Sequence, residues 1–212
     1  MNIVHSCCTE ELDVQTIDDN LLVVNKPTGM LSVPGRTPDK QDCLLVRIQK
    51  RFPEALVVHR LDRDTSGLIL FARNRTTQSS LARMFQEGKI EKRYTAWVEG
   101  QVTSDSGRIE APIERVAEAT LPPRYRICET GRASTTEWYV VERDEEKTVL
   151  DLRPRTGRSH QLRVHCQGMG HAIVGDPIYG EPADRMYLHA TQLRFLHPCG
   201  NGMLEFEAPL PF

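Results

Sequence analysis

The chain has no CxxC pair, although it carries six cysteines, at positions 7, 8, 43, 128, 166 and 199. Their spacing fits neither a zinc site nor a small disulfide scaffold. Free thiols in a reducing compartment are therefore expected. No apolar run of signal-peptide length opens the chain, and none of membrane-span length occurs within it. These absences predict a cytoplasmic protein without a membrane partner. A dominant charge is lacking too: the formal net charge is −2 over 212 residues, so bulk composition selects no class of ligand. Repeats, long linkers and alternating βαβ units are also missing. What remains is an ordinary globular composition, 39% hydrophobic and 26% charged, long enough to bury its own core.

The charge is unevenly spread. Residues 1–49 hold seven acidic and four basic side chains, whereas residues 50–93 hold ten basic and five acidic. Residues 151–163 add Arg153, Arg155, Arg158 and Arg163 against Asp151 alone. Such clustering suits a phosphate-facing surface, and equally a solvated face with no ligand.

The secondary-structure pattern is strand-rich α+β. Strands are predicted at Val14–Ile17 and Leu21–Val24, joined by the turn-forming Asp18-Asp19-Asn20. A helix is predicted over Cys43–Phe52, where Leu44, Ile48 and Phe52 recur at i, i+4 and i+8. A buried strand follows at Leu68–Ala72, then a helix over Thr76–Glu87 stopped by Gly88. Lys92–Val98 alternates, with Tyr94, Ala96 and Val98 on one face. Residues 100–132 read as short strands and connections. Paired strands follow at Ala133–Glu142 and Thr148–Leu152, then a short helix over Ser159–Gly168, and a closing hairpin of Leu188–Leu196 with Met203–Phe206.

Two segments are chemically dense. His59-Arg60-Leu61-Asp62-Arg63-Asp64-Thr65-Ser66-Gly67 offers Asp62 as nucleophile, base or electrostatic stabiliser, and Arg60 and Arg63 as anion binders. On local chemistry alone it is equally a polar turn with surface ion pairs. Arg153 to His165 places clustered arginines at the start of a helix, where a buried carboxylate could pair with one of them in bidentate fashion. His160 and His165 in this segment do not form an HExxH zinc signature.

Taken together, these segments resemble the RluA family of pseudouridine synthases along essentially the whole chain. The resemblance is carried by NKPTGMLSVPG at Asn25–Gly35, HRLDRDTSG at His59–Gly67, KRYTAWVEG at Lys92–Gly100, RTGRSHQLRVH at Arg155–His165 and GHAIVGDPIYG at Gly170–Gly180. Ala172 stands where the family often has proline. The resemblance implies a mixed, largely antiparallel sheet spanning two subdomains around a central cleft. It predicts one catalytic domain over residues 1–212, with no room for the N-terminal S4 domain that many relatives carry.

It also implies isomerisation of uridine to pseudouridine in structured RNA, a reaction that calls for no metal or other cofactor. SVPG at Ser32–Gly35 and ETG at Glu129–Gly131 point to the branch that modifies both large-subunit ribosomal RNA and transfer RNA. Enzymes confined to either RNA class are the alternatives. By motif position, Asp62 is the expected catalytic aspartate, Tyr94 the active-site tyrosine, and Arg158 the arginine that pairs with Asp62. Arg60 is expected to fill the space left by a flipped base. Arg63, Arg73, Arg155 and Arg163 are the remaining candidate RNA contacts. No obligate protein partner is implied, and a monomer suffices for the cleft. A catalytically inactive RNA-binding protein and a glycosidase that releases uracil are the competing readings.

Overall fold

A computed structural model describes residues 12–117, 122–200 and 202–212. Cys7, Cys8 and part of the stretch between Glu114 and Arg126 lie outside those residues. The elements in chain order begin with β1 (Asp13–Ile17), β2 (Leu21–Lys26), α1 (Leu44–Arg51), β3 (Leu56–Val57), β4 (Ser66–Ala72) and α2 (Arg75–Gln86). They continue with β5 (Glu91–Glu99), β6 (Ser106–Glu110), β7 (Ile113–Arg115), β8 (Tyr125–Ile127), β9 (Thr135–Arg143) and β10 (Lys147–Pro154). The chain closes with α3 (Gln161–Gly168), β11 (Leu188–Leu196) and β12 (Met203–Glu207). The expected α+β class is observed.

One ten-stranded sheet runs β1-β2-β4-β11-β5-β10-β9-β6, with β3 added to β4 and β12 to β11. Every pairing in it is antiparallel except β4 with β11. A separate two-stranded ribbon joins β7 and β8.

The apolar runs of β2 and β4 are explained by burial on both faces. Alternation sends Leu21, Val23, Leu68, Leu70 and Ala72 into one cluster with Leu81 of α2. It sends Leu22, Val24, Ile69 and Phe71 into another with Leu44 and Ile48 of α1. Both helices end or begin as their sequences dictate. Asn74 caps α2 by accepting from the Thr77 N–H at 2.8 Å, and Phe52 closes α1 on the Ile48 carbonyl just before Pro53. In the second half, Leu162 and Cys166 of α3, one helical turn apart, pack on Ala96, Val98, Leu150 and Leu152.

The two halves meet where β4 and β11 run parallel, Ser66 opposite His189 and Gly67 opposite Ala190. Only glycine fits at 67. Its φ is +112°, and a Cβ there would lie 2.4 Å from both the N and O of Ala190. This tight joint lies immediately downstream of the Asp62 loop.

Strand β3 is only two residues long, because His59 turns inward and accepts from the Leu70 N–H at 2.9 Å. The start of α3 differs from the sequence expectation for a physical reason. Helix α3 starts at Gln161 instead of Ser159, because His160 adopts a left-handed backbone, φ 55° and ψ 17°. His160 is the one non-glycine residue with positive φ among those described.

Candidate active site

Asp62 stands in the loop between β3 and β4, and that loop is held from behind. The Ser32 hydroxyl donates to the Leu61 carbonyl at 2.7 Å and accepts the Leu61 N–H at 3.1 Å. Lys26, with no exposed surface, spends its ammonium on three carbonyls: Pro27 at 2.9 Å, Met30 at 2.8 Å and Arg63 at 3.0 Å. Burial, opposed by the neighbouring Asp64 and Asp62, pulls this lysine down to about 7. The NKPTG segment therefore braces the HRLD loop, which explains why a turn sequence carries a buried lysine.

The cation facing Asp62 is Arg163. Its Nη1 donates to Asp62 Oδ2 at 3.2 Å, while its Nε and Nη2 form two 2.7 Å bonds to Asp176. Asp176, wholly buried in the segment after α3, also accepts from the Ile178 and Tyr179 N–H groups at 2.9 and 3.1 Å. Arg163 is fixed by this fork before Asp62 engages it. Burial disfavours its charge, but the bonds to Asp176 and the field of both carboxylates outweigh that and raise its pKa. Asp62 retains 27% side-chain exposure, against 3% for Arg163 and none for Asp176. One carboxylate is thus open to a ligand and the other is structural.

Arg158 does not make the expected pair with Asp62. Its Nε donates instead to the Ala133 carbonyl at 3.1 Å, and its side chain lines the cleft from the loop between β10 and α3. The displacement follows from the late start of α3. Residues 155–160 form an irregular turn, so the arginine that points at Asp62 is the one in the first turn of the helix.

His160 completes the surroundings of the carboxylate. Its Nε2 lies 3.8 Å from Asp62 Oδ2, and its Nδ1 is 2.8 Å from the Tyr179 hydroxyl. That hydroxyl accepts from the Tyr125 N–H at 2.9 Å, and so has its own proton to give to Nδ1. On this assignment Nε2 carries the ring hydrogen and faces Asp62. Burial lowers the His160 pKa in spite of nearby Asp62, keeping the ring neutral. A left-handed non-glycine backbone costs about 1–3 kcal/mol and gathers at functional sites.

Tyr94 projects from β5 and packs against the clusters of both halves. Burial and the charge of Asp62 raise the pKa of its hydroxyl, which has no hydrogen-bond partner among the described residues.

Asp62, Arg60, His160 and Arg163 separate two concavities. The narrower, about 450 Å³, is lined by Phe85, Lys92, Tyr94 and Arg158. The wider groove, about 1340 Å³, runs past Thr28, Met30, Arg63 and Arg124. Arg60 is exposed between them, with no partner among the described residues. Arg63 lies in the groove and donates to the Gly29 carbonyl at 3.1 Å. Arg155 lines the narrow cleft but is committed to Glu137 at 2.6 Å.

Two of the other sequence candidates are committed to partners within the protein. Arg73 is drawn away from both concavities, clamping Glu54 at 2.7 Å and the Asp18 carbonyl at 2.5 Å. Arg163 is too buried to meet a phosphate and belongs to Asp62. Asp176, His160, Lys26 and Lys92 were not singled out as site residues in the sequence. A signal existed for Lys92, which shares a strand face with Tyr94.

This geometry offers one open carboxylate beside a fixed cation and an aromatic ring, at the meeting of a base-sized cleft and a longer groove. The family model for RNA pseudouridylate synthase matches residues 20–168. The chain is 43% identical over 202 residues to the dual-specificity RNA pseudouridine synthase RluA of Yersinia pestis, covering 92% of this chain and 94% of that one. It is 41% identical over 202 residues to the protein of the same name from Escherichia coli strain K12, covering 92% and 91%. Among solved structures, human RNA pseudouridylate synthase domain containing 1 superposes with a TM-score of 0.81 at 32% identity, over 96% of this chain and 85% of that one. The chain belongs to the RNA pseudouridylate synthase family and is an enzyme that converts uridine to pseudouridine in structured RNA.

Proposed function

We propose that the chain modifies both large-subunit ribosomal RNA and transfer RNA, with Asp62 as the group that acts on the ribose of the flipped uridine. The observation that carries the site assignment is the Asp176–Arg163–Asp62 chain, in which the two outer carboxylates differ so sharply in exposure. The dual RNA specificity rests on relatives named for it, 40–43% identical over 92–95% of this chain.

The reaction breaks the N1–C1′ bond, turns the retained uracil and joins C5 to C1′. Asp62 either attacks C1′ or removes the 2′ proton to give a glycal. Both routes need the carboxylate aimed at the sugar, and the Arg163 fork sets that aim. Tyr94 stays a neutral phenol, suited to confining the detached base by stacking. If it takes the C5 proton, it must surrender its phenolic proton in the same step. Arg60, unpaired at the mouth of both concavities, is placed to hold the RNA once the base has left its stack. The smaller concavity beside Asp62 suits the flipped nucleotide, while the larger groove offers room for flanking backbone.

The test is a map of pseudouridines in total RNA from wild-type cells, deletion cells, and deletion cells restored with wild type or D62N. Loss in both RNA classes, rescued by wild type alone, is the expected result. Loss in one class only would reject dual specificity. Rescue by D62N would reject the role of Asp62.

A further inference from the structure

Lys92 precedes Tyr94 by two residues on β5, so both side chains leave the same face of the strand, and both line the narrow cleft. Two residues along a strand span about 6.8 Å, on the scale of the separation between a nucleobase and its own backbone phosphate. The Lys92 ammonium has three donors. Among the described residues it meets one acceptor, the Thr156 carbonyl, at 3.4 Å, beyond the usual range for such a bond. No carboxylate pairs with it there.

The cleft around it is rich in like charge. Phe85 and Pro154 line the cleft beside it, and Arg155 and Arg158 come from the loop that Thr156 belongs to. A Cβ on Gly157 would stand 3.9 Å from the ammonium, so an incoming group meets bare backbone at that point. The contrast with the other buried lysine is direct. Lys26 has three close carbonyls and no room for a ligand, whereas Lys92 has one distant carbonyl and faces a cavity. A desolvated cation with unused donors is costly unless an anion completes it.

We infer that Lys92 is the binding residue for a backbone phosphate of the target nucleotide, gripping it opposite Tyr94 while the base enters the cleft. This rests on the reading of the cleft as the site that receives uridine. A compact ammonium acts as a point charge toward phosphate, which a uracil carbonyl cannot match as an acceptor. Arg158, whose guanidinium is committed only through Nε to the Ala133 carbonyl, supplies further donors from the far side of Gly157.

Burial lowers Lys92 to about 8, so phosphate binding should be lost as pH rises through that value. The groups that face it do not titrate there. His59, which lines the same cleft, is lowered to about 3 by desolvation and by the lysine's own charge. Tyr94 is displaced upward, and Arg155 and Arg158 remain cationic.

The experiment uses the full chain and a synthetic RNA stem-loop that the wild-type enzyme converts. Dissociation constants are measured against salt and pH for wild type, K92Q and K92R, with single-turnover rates at saturating RNA. K92Q should weaken binding roughly tenfold and flatten the plot of log affinity against log salt by about 0.7–0.9, the loss of one phosphate contact. The loss should fall more heavily on affinity than on the saturated rate. K92R should keep the wild-type salt slope and, unlike wild type, hold its affinity above pH 8. An unchanged salt slope in a folded K92Q, or wild-type alkaline behaviour in K92R, overturns the inference while leaving the synthase reading intact. Failure of the wild type to convert any RNA sinks that reading and this inference together.

Discussion

Replacing Arg163 and Arg158 one at a time separates the arginine that aims Asp62 from the one that lines the cleft without reaching it. Arg163→Met strands Asp176, a carboxylate with no exposed surface, without its cation. Breaking one side of a buried pair costs about 3–5 kcal/mol. At about 2–4 °C per kcal/mol for a chain of this size, the melting temperature should fall by roughly 6–20 °C. Arg163→Lys keeps a positive charge but cannot fork across Asp176 and still reach Asp62, so the loss of stability should be smaller while the aim is lost. Misplacing a reacting group by about 1 Å is worth on the order of 100-fold, or about 2.7 kcal/mol of barrier. Arg158→Met removes one bond to the Ala133 carbonyl, worth about 1 kcal/mol. It should weaken RNA binding by less than about tenfold and leave the saturated rate within a few-fold. Thermal melts and single-turnover conversion at saturating RNA, run below the lowest melting onset, measure both quantities. A 100-fold loss of rate in R158M, alongside near-normal turnover in R163K, would refute the assignment of Arg163.

Asp62→Asn should abolish turnover while leaving RNA affinity and melting temperature close to wild type, because Arg163 keeps its bonds to Asp176; fluorescence anisotropy and a conversion assay decide it. His160→Asn places a residue that tolerates the left-handed backbone where the imidazole was, withdrawing the ring from Asp62 and Tyr179. Turnover should drop by up to about tenfold, the worth of one hydrogen-bond-strength contact of about 1 kcal/mol, with little thermal change, and a fall in melting temperature that tracks the fall in rate would make His160 merely structural. Gly67→Ala forces a Cβ to 2.4 Å from the Ala190 backbone at φ +112°, and the combined strain and overpacking should cost about 2–6 kcal/mol in a denaturant titration; a change under about 0.5 kcal/mol would show that β4 and β11 can part freely. Lys26 has a folded pKa of about 7, below the ordinary lysine value of about 10.4. Between those values the unfolded chain binds the extra proton, so this lysine's contribution to stability rises with pH. Wild type should therefore gain stability relative to K26M from about pH 7 upward, and parallel pH profiles of the two proteins would contradict the burial argument.

Much of the architecture was legible because it depends on local pattern. The runs Leu21–Val24 and Leu68–Ala72 could be read as buried strands, and the structure buries them between two helices. The i, i+4 pair Leu44 and Ile48 gave α1, and the alternation of Tyr94, Ala96 and Val98 gave the cleft face of β5. The parallel contact of β4 with β11 was not legible. It joins residues more than a hundred positions apart, and Gly67 alone could equally have marked a simple turn. The boundary at His160 was hidden for the opposite reason. Local preference favours helix from Ser159, and only the contacts of the ring with Tyr179 and Asp62 justify a left-handed residue there.

The assignment of the paired arginine shows where motif position stops being sufficient. Arg158 and Arg163 lie in one motif, five residues apart, and a carboxylate could pair with either on composition alone. Direction decides between them. Arg163 follows two helical residues and turns inward beside Leu162, because Asp176 waits for it, fixed by two backbone N–H groups. Arg158 precedes the helix, on a turn whose backbone is held by Gln161, and is directed along the cleft wall. The buried acid that selects the arginine lies in GDPIYG, 13 residues beyond Arg163. A sequence displays the density of charge around a reacting group. Which charge reaches it is set by whichever counter-ion the fold can afford to bury, and here that counter-ion is Asp176.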